Sequence, residues 1–313
     1  MRDAFIKSLS EIAKTDPRIL LITGDLGFCV LDEFAKNYPN QFLNAGVAEQ
    51  NMTGLATGLA LEGRIVFTYS IANFPVMRCL EQIRNDICYH NANVKIISVG
   101  GGFSYGALGV SHHATEDISI MRAMPNMTTV VPGDLWEASE SAKALINTEG
   151  ACYLRLDKSH APRTQEKENK FELGKSRCLV EGKDLTLISS GGILGVTLEA
   201  AKQLKKKGIN CRVVSMHTLN PLDEEAIISA AEETGGIITV EEQTVQGGLG
   251  GAVAETCLEK GSPPKLFYRI GIRSGLTSIA GTQDYLRRIH DMDENAIVSN
   301  AVRLIEKKFE LAH

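Results

Sequence analysis

Short apolar runs rich in β-branched residues alternate along the chain with longer segments whose apolar residues recur at helical spacing. In the first half, the runs lie at 18–24, 64–69, 94–100, 127–132 and 152–156. The helical segments lie at 3–14, 47–61, 76–90, 115–124 and 134–146. Such alternation is typical of a mostly parallel sheet with helices on its faces.

The second half repeats this alternation after a polar stretch at 157–179. Its apolar runs lie at 184–190, 211–217, 235–242 and 266–272. A chain of 313 residues also exceeds what one hydrophobic core usually serves. We therefore predict an α/β protein with two parallel-sheet, three-layer domains, 1–163 and 181–313, joined by a linker at 164–180.

The composition argues against a nucleic-acid or membrane-bound protein. The formal net charge is -5, and no run of basic residues offsets it. No apolar run reaches about 18 residues, so we expect no membrane span. The seven cysteines are an odd number without a CxxC pair, which indicates reduced thiols, no zinc site and a cytoplasmic location.

Two glycine clusters look like nucleotide-binding loops but depart from the templates. In GGGFSYG (100–106), Tyr105 stands where a GxGxxG pattern that begins at Gly100 needs its last glycine. The cluster GGLGGAV (247–253) fails in the same way at Val253. We expect both to be backbone turns, so this chain alone should bind neither a dinucleotide nor a nucleoside triphosphate.

A single acid, Glu49, stands at the start of an apolar helical run in the stretch NAGVAEQNM (44–52). At about 100° per residue, Glu49 shares one stripe of the helix with mostly small side chains. The stripe consists of Met52, Thr53, Ala56 and Ala60. Small side chains permit close approach by another group, although an isolated glutamate here could simply stabilise the first helical turn.

Two adjacent histidines, His112 and His113, occupy the stretch GALGVSHHATED (106–117), just before a predicted helix. They follow a glycine-rich strand end, and ligands of open parallel sheets gather beyond the carboxyl ends of strands. We expect at least one of them to be functional. The alternative is that Ser111 caps the helix while one histidine packs on the sheet; a metal site is less favoured because no further ligands stand at useful spacing.

These two stretches, extended as NAGVAEQNMTGLATGLALEG and GVSHHATEDISIMRAMPNMTTVVPGD, resemble the thiamine-diphosphate-dependent transketolase family. The likeness is closest to the C-terminal subunit of split transketolases. It continues through DLTLISSGG, RVVSMHTLNPLD and VEEQTVQGGLGGAVAE and so covers nearly the whole chain. The resemblance implies a pyrimidine-binding domain followed by a transketolase C-terminal domain.

The resemblance also implies roles for individual residues. Glu49 becomes the carboxylate that contacts N1' of the cofactor's aminopyrimidine and favours the imino tautomer that accepts the thiazolium C2 proton. His112 becomes the active-site histidine that contacts the donor or intermediate. Substrate contacts fall on four further residues: Arg155, Arg2, Cys29 and His113.

The aromatic contact to the aminopyrimidine is less direct in the resemblance. A match without gaps puts Ala72 and Pro75 at the family's phenylalanine positions. Phe74, one residue away, is our preferred candidate, with core packing as its alternative role, and Tyr69 is a second candidate. Asp25, in TGDLG, is a further candidate for cofactor binding.

The family's diphosphate motif, GDG followed by asparagine, is missing from this sequence. The resemblance therefore implies that a separate subunit holds the diphosphate through Mg²⁺ or Ca²⁺, and that this chain is inactive alone. The cofactor would lie at the joint, with the stripe beside Glu49 facing the partner. A homodimer of this subunit within an α2β2 heterotetramer is expected.

Two departures bear on the substrate. Gly100 stands where sugar-phosphate transketolases have a histidine, and Leu108 where they have an aspartate that reads sugar hydroxyls. A leucine would leave such hydroxyls unpaired. We therefore expect a transferase of two-carbon ketol units, in carbohydrate metabolism, with atypical sugar specificity.

Three alternatives stay open. One is the β subunit of a 2-oxoacid dehydrogenase, which shares the AEQ context and also lacks the diphosphate motif. A second is deoxyxylulose phosphate synthase, usually one long chain. The third is a non-catalytic, dimer-forming binding module, which retention of Glu49, His112 and Arg155 argues against.

Overall fold

The computed structural model describes residues 1–158, 164, 170–273, 275 and 277–310. The predicted boundary at residue 163 and most of the N-terminal part of the predicted linker lie outside the described residues. None of the helices in the described part of the chain combines the length and the apolar character needed to cross a bilayer.

The N-terminal part contains six strands. They are β1 (Ile19–Thr23), β2 (Phe42–Asn44), β3 (Ile65–Ile71), β4 (Val94–Val99), β5 (Thr128–Val130) and β6 (Cys152–Leu156). The α-helices of this part are α1 (Arg2–Ala13), α2 (Asp32–Asn37), α3 (Glu49–Leu61), α4 (Phe74–Met77), α5 (Leu80–Gln82), α6 (Asp117–Ala123) and α7 (Leu135–Ile146). A π-helical segment, Ile83–Cys88, continues α5.

The C-terminal part repeats the alternation. Its strands are β7 (Arg177–Val180), β8 (Leu185–Ser190), β9 (Cys211–Ser215), β10 (Thr218–Asn220), β11 (Ile237–Thr244) and β12 (Phe267–Ile272). Its helices are α8 (Leu194–Lys206), α9 (Glu224–Glu233), α10 (Leu249–Glu259), α11 (Gln283–Ile289) and α12 (Glu294–Glu310).

Within the described residues these strands form two sheets. The first has the order β10-β5-β6-β4-β3-β1-β2, and the second has the order β12-β11-β8-β9-β7. All pairs are parallel except β10 with β5 and β7 with β9. The predicted α/β fold with two mostly parallel sheets is thus confirmed, with an antiparallel edge strand added to each sheet.

Burial explains why most strands could be recognised from the sequence. Strands β1, β4 and β6 are buried along their full length, because helices cover both faces of the first sheet. Helices α1 and α7 pack together on one face, around Phe5, Leu9 and Leu145. Helix α3 and the π-helical segment cover the other face.

The stripe beside Glu49 does not face outward, and this expectation was wrong. Its four residues are buried against the chain's own sheet, where small side chains let α3 lie close to the strands. The exposed face of α3 instead carries Gly54, Leu55 and Gly58. A Cβ atom added at either glycine would meet open space.

A buried group of charges joins the two sheets. The Glu242 carboxylate accepts hydrogen bonds from the backbone N–H of Phe103, at 2.5 Å, and from Nε of Arg287, also at 2.5 Å. Arg155, at the end of β6, donates from Nη2 to the backbone carbonyl of Glu242 at 2.8 Å. Each of these three charged side chains is at most 6% exposed, so the pairing offsets a large desolvation cost.

Asp157 adds an unfavourable charge to this junction. Burial raises its pKa from the ordinary value of 3.8 to about 6, and repulsion from Glu242 acts in the same direction. The folded chain therefore holds this proton more tightly than the unfolded chain does. The resulting stabilisation is complete below pH 3.8 and is lost as the pH rises through about 6.

We predict that Asp157→Asn removes this dependence. Relative to the wild type, the variant should gain about 1–3 kcal/mol in free energy of unfolding between pH 4 and pH 7. Urea denaturation followed by circular dichroism across that range measures the difference. Asp291→Asn, at an exposed position, is the control; a pH-independent difference for Asp157→Asn would contradict the assignment.

Candidate active site

Glu49 is the first residue of α3 and is 3% exposed. Its carboxylate accepts a hydrogen bond from Nη1 of Arg78 at 3.1 Å. The Arg78 guanidinium also lies over the Phe74 ring, with its central carbon 4.8 Å from the ring centroid. Arg78 is half-exposed, so a buried acid and an aromatic face are joined by a side chain that can move.

His112 also packs against Phe74. The two ring centroids are 5.1 Å apart in an edge-on arrangement. The Oγ atom of Ser111 lies 3.0 Å from Nδ1 of His112, within hydrogen-bonding distance. Asn73, next to Phe74, donates to the backbone carbonyl of Ser111 at 2.9 Å. The structure therefore brings Glu49, Phe74 and His112 together at one edge of the first sheet, in a continuous series of contacts.

Tyr105 explains the glycine at position 100. Gly100 has a left-handed φ of 93°, and a Cβ atom there would lie 2.1 Å from the Tyr105 ring. The tyrosine ring thus fills the space that a side chain at 100 would need. Burial raises the pKa of Tyr105, although the positive charge of Arg2 opposes the shift. The ring centroid of Tyr105 is 6.5 Å from that of His112.

A cavity of about 510 Å³ opens beside Tyr105. Leu108, 57% exposed, and Lys158 line it. The Lys158 ammonium lies 5.0 Å from the Tyr105 ring centroid, a cation–π distance. Because Lys158 stands just beyond the end of β6, its charge lies where ligands of a parallel sheet gather.

Three other candidates lie near this edge with different surroundings. Asp25 has a left-handed φ of 58°, and its carboxylate accepts a hydrogen bond from Nδ2 of Asn44 at 2.9 Å. Cys29 is exposed before α2, with φ 64°. Tyr69 is buried in the core, 2% exposed, and burial raises its pKa. Its ring therefore offers less open surface for stacking than Phe74 does.

Arg155 and His113 do not line the cavity described above. Arg155 is 3% exposed and donates to Asp117 at 3.4 Å and to Gln243 at 3.2 Å, besides its bond to Glu242. His113 is also 3% exposed; its Nε2 lies 3.2 Å from the carbonyl of Gly106. A substrate would have to displace these internal partners, so both contacts stay predictions.

The residues present fit an aminopyrimidine ring. Such a ring offers a flat face and N–H donors, and the guanidinium between Glu49 and Phe74 already shows that a planar N–H donor suits this place. The described residues do not offer a comparable site for a metal ion. Among the described residues, no three or more His, Cys, Asp or Glu side chains are arranged to hold an ion.

Comparison with known proteins covers both parts of the chain. The model of the pyrimidine-binding domain of transketolase matches residues 1–164, and that of the transketolase C-terminal domain matches residues 174–280. The chain belongs to the transketolase family. Thiamine diphosphate is the cofactor that this family implies.

Relatives of the same length exist in this transketolase family. A subunit of the apulose-4-phosphate transketolase of Phocaeicola vulgatus is 38% identical over 308 residues, which cover 98% of this chain and 97% of the relative. The 6-deoxy-6-sulfo-D-fructose transketolase subunit SqwH of a Clostridium species is 35% identical, with 98% and 95% covered.

A solved structure extends the comparison. It is described as a split gene transketolase, inactive beta4 tetramer, and is 36% identical with a TM-score of 0.87 over 97% of each chain. The resemblance of this chain to split transketolases, drawn from its sequence, is therefore confirmed.

Sequence reasoning missed two residues of this site. Arg78 stands four residues after Phe74, but its contact with Glu49 crosses 29 positions of sequence and could not be read locally. Lys158 could have been found, because it is a cation two residues after the end of a buried strand. The gapless match favoured Arg155 instead, three residues earlier and inside the sheet.

We predict that Glu49→Gln keeps the fold but lowers turnover of the assembled enzyme by about a hundredfold or more. The amide can still accept from Arg78, yet it cannot exchange a proton with a bound ring nitrogen. Steady-state kinetics and thermal unfolding measure the two effects. Glu62→Gln, at the exposed end of the same helix, is the control, and near-normal turnover of Glu49→Gln would refute the role.

Proposed function

We propose that this chain is the subunit that supplies the pyrimidine-binding and C-terminal domains of a two-subunit transketolase. The enzyme moves a two-carbon ketol unit from a ketose phosphate donor to an aldose acceptor. The observation that carries this proposal is the juxtaposition of Glu49, Phe74 and His112 at the carboxyl edge of the first sheet. The same-length relatives, named as transketolase subunits, support it.

In this proposal each residue of the edge has one task. Glu49 accepts a hydrogen bond from a ring nitrogen of the cofactor, and this nitrogen competes with Arg78 for the carboxylate. Phe74 offers its ring as a contact surface. His112 exchanges hydrogen bonds with substrate oxygens, with Ser111 holding its other ring nitrogen. Thiamine diphosphate supplies the carbon nucleophile when it is bound.

A partner subunit completes the site. The diphosphate and its Mg²⁺ or Ca²⁺ would be held there, since this sequence lacks the GDG motif. We assign the docking surface to the exposed face of α3, where Gly54 and Gly58 permit close helix approach beside exposed Leu55. The assembly would be α2β2; the relative described as an inactive beta4 tetramer supports self-association of this subunit type.

The substrate proposal rests on the cavity beside Tyr105. Lys158 offers a positive charge for a distal phosphate or another anion. Gly100 and Leu108 lack the polar side chains, a histidine and an aspartate, that sugar-phosphate transketolases have at these positions. These differences support an atypical sugar substrate. The names of two relatives, which specify apulose 4-phosphate and a sulfonated fructose, support it as well. Arg2 and Cys29 stay candidates for phosphate contacts, and a cytoplasmic location is supported by seven free cysteines.

The alternatives are less well supported. A 2-oxoacid dehydrogenase β subunit or a non-catalytic module would share the fold, but the same-length relatives carry transketolase names. Retention of Glu49 as a buried acid beside Phe74 also argues against a purely structural module, since a buried carboxylate costs stability.

We predict that the isolated chain has no transferase activity and that mixing with its diphosphate-binding subunit restores it. The assay combines ketose donors and aldose acceptors, including deoxy, branched and sulfonated sugars, and detects products by mass. Omission of thiamine diphosphate or of divalent cation is the control. Consumption of pyruvate alone would favour the dehydrogenase alternative, and activity without the partner would contradict the split site.

We predict that Lys158→Met raises the KM for an anionic substrate about tenfold or more, with little change in kcat, because a charge-assisted contact is lost. Neutral substrates should be unaffected. Steady-state kinetics of the assembled enzyme with phosphorylated and unphosphorylated acceptors measure this difference. Lys183→Met, at an exposed position outside the cavity, is the control, and an unchanged KM would exclude Lys158 from the site.

A further inference from the structure

The cavity beside Tyr105 has walls from both parts of the chain. One wall comes from the loop after β4 and the end of β6, through Ser104, Tyr105, Leu108 and Lys158. The other wall is the segment 281–283, which ends at the first residue of α11 in the C-terminal part. The transketolase C-terminal model matches only residues 174–280, so this second wall lies just beyond the matched region.

The second wall is held firmly against the first. The backbone N–H of Gly281 donates to the carbonyl of Gly106 at 3.2 Å. A Cβ atom at Gly106 would lie 2.6 Å from the carbonyl oxygen of Gly281, so the backbones approach as closely as glycine allows. The wall therefore keeps a fixed distance from the loop that carries His112.

Gln283 is oriented by the buried charges of the domain junction. Its Nε2 donates to Glu242 Oε1 at 3.0 Å and lies 3.3 Å from Ser104 Oγ. Both bonds use the nitrogen end of the amide, which leaves the oxygen end as the acceptor available to a ligand. Thr282 accepts from the backbone N–H of Tyr285 at 3.3 Å, and its hydroxyl hydrogen stays available as a donor.

The cavity is positioned to take the far end of a substrate. Tyr105 forms part of its lining and also lies near His112, with ring centroids 6.5 Å apart. A substrate whose reacting carbon lies near Glu49 and His112 would extend past Tyr105 into this space. It would meet an ammonium, a hydroxyl and an amide oxygen there.

We propose that Thr282 and Gln283 form, with Lys158, a distal subsite that reads the hydroxyl groups and the terminal anion of an extended sugar chain. The C-terminal domain is then a specificity-determining part of the active site. The amide oxygen of Gln283 accepts from a chain hydroxyl, the Thr282 hydroxyl donates to one, and Lys158 pairs with the anion. This inference rests on the proposed transferase function.

The test uses the reconstituted enzyme with two acceptors, D-erythrose 4-phosphate and glycolaldehyde. Gln283→Met keeps the side-chain length but removes the acceptor, together with the amide donor that reaches Glu242. We expect the KM for D-erythrose 4-phosphate to rise about three- to tenfold, since one neutral hydrogen bond is lost, while kcat stays unchanged. Glycolaldehyde is too short to reach the subsite, so its kinetics should not change.

Arg288→Met is the matched control, because Arg288 lies on the same helix but lines a different cavity. An equal loss with both acceptors would show that Gln283 acts only through structure and would overturn the proposal, as would an unchanged KM for D-erythrose 4-phosphate.

A binding experiment separates this proposal from the transferase function. If the wild-type complex transferred no ketol unit, the proposed function would fail, but calorimetric titration with D-ribitol 5-phosphate would still examine the subsite. We expect Gln283→Met to weaken that binding about three- to tenfold relative to Arg288→Met. Equal binding by the two variants would count against the subsite.

Discussion

The buried carboxylate of Glu242 is the interaction on which the rest of the arrangement depends. It accepts hydrogen bonds from the backbone N–H of Phe103, in the loop that follows β4 of the first sheet. It also accepts hydrogen bonds from Arg287 and Gln283 in the C-terminal part of the chain. A carboxylate so far from water is tolerated only with such partners, and they come from both sheets. The relative position of the two domains is thereby fixed, and with it the loop that carries His112.

The arrangement of the proposed active site follows from this constraint and from sheet geometry. Parallel strands end at one edge, so Glu49 at the start of α3, Phe74 at the start of α4 and the loop that holds His112 all lie there. The carboxylate of Glu49 is desolvated, and Arg78 satisfies it while covering the Phe74 ring. In the free chain the arginine thus occupies the place that a planar cofactor ring would suit.

Much of the fold could be predicted from the sequence. Long buried strands such as β4 and β6 read as continuous apolar runs because both faces are covered. The strands that were missed, β2, β7 and β10, have only three or four residues and lie at or next to sheet edges, where pairing rather than composition defines a strand. The orientation of α3 was also misjudged, since small residues suit close packing inside the chain as well as outside it.

By itself the sequence determined the α/β class, the family and the acid at the head of α3, because periodicity and motifs are local in the chain. Only the tertiary structure decided which side chains meet. Arg155 lies inside the domain junction, Lys158 lines the cavity, and the Tyr105 ring fills the space above Gly100. These outcomes depend on contacts between distant segments, and no local pattern specifies how two sheets pack against each other.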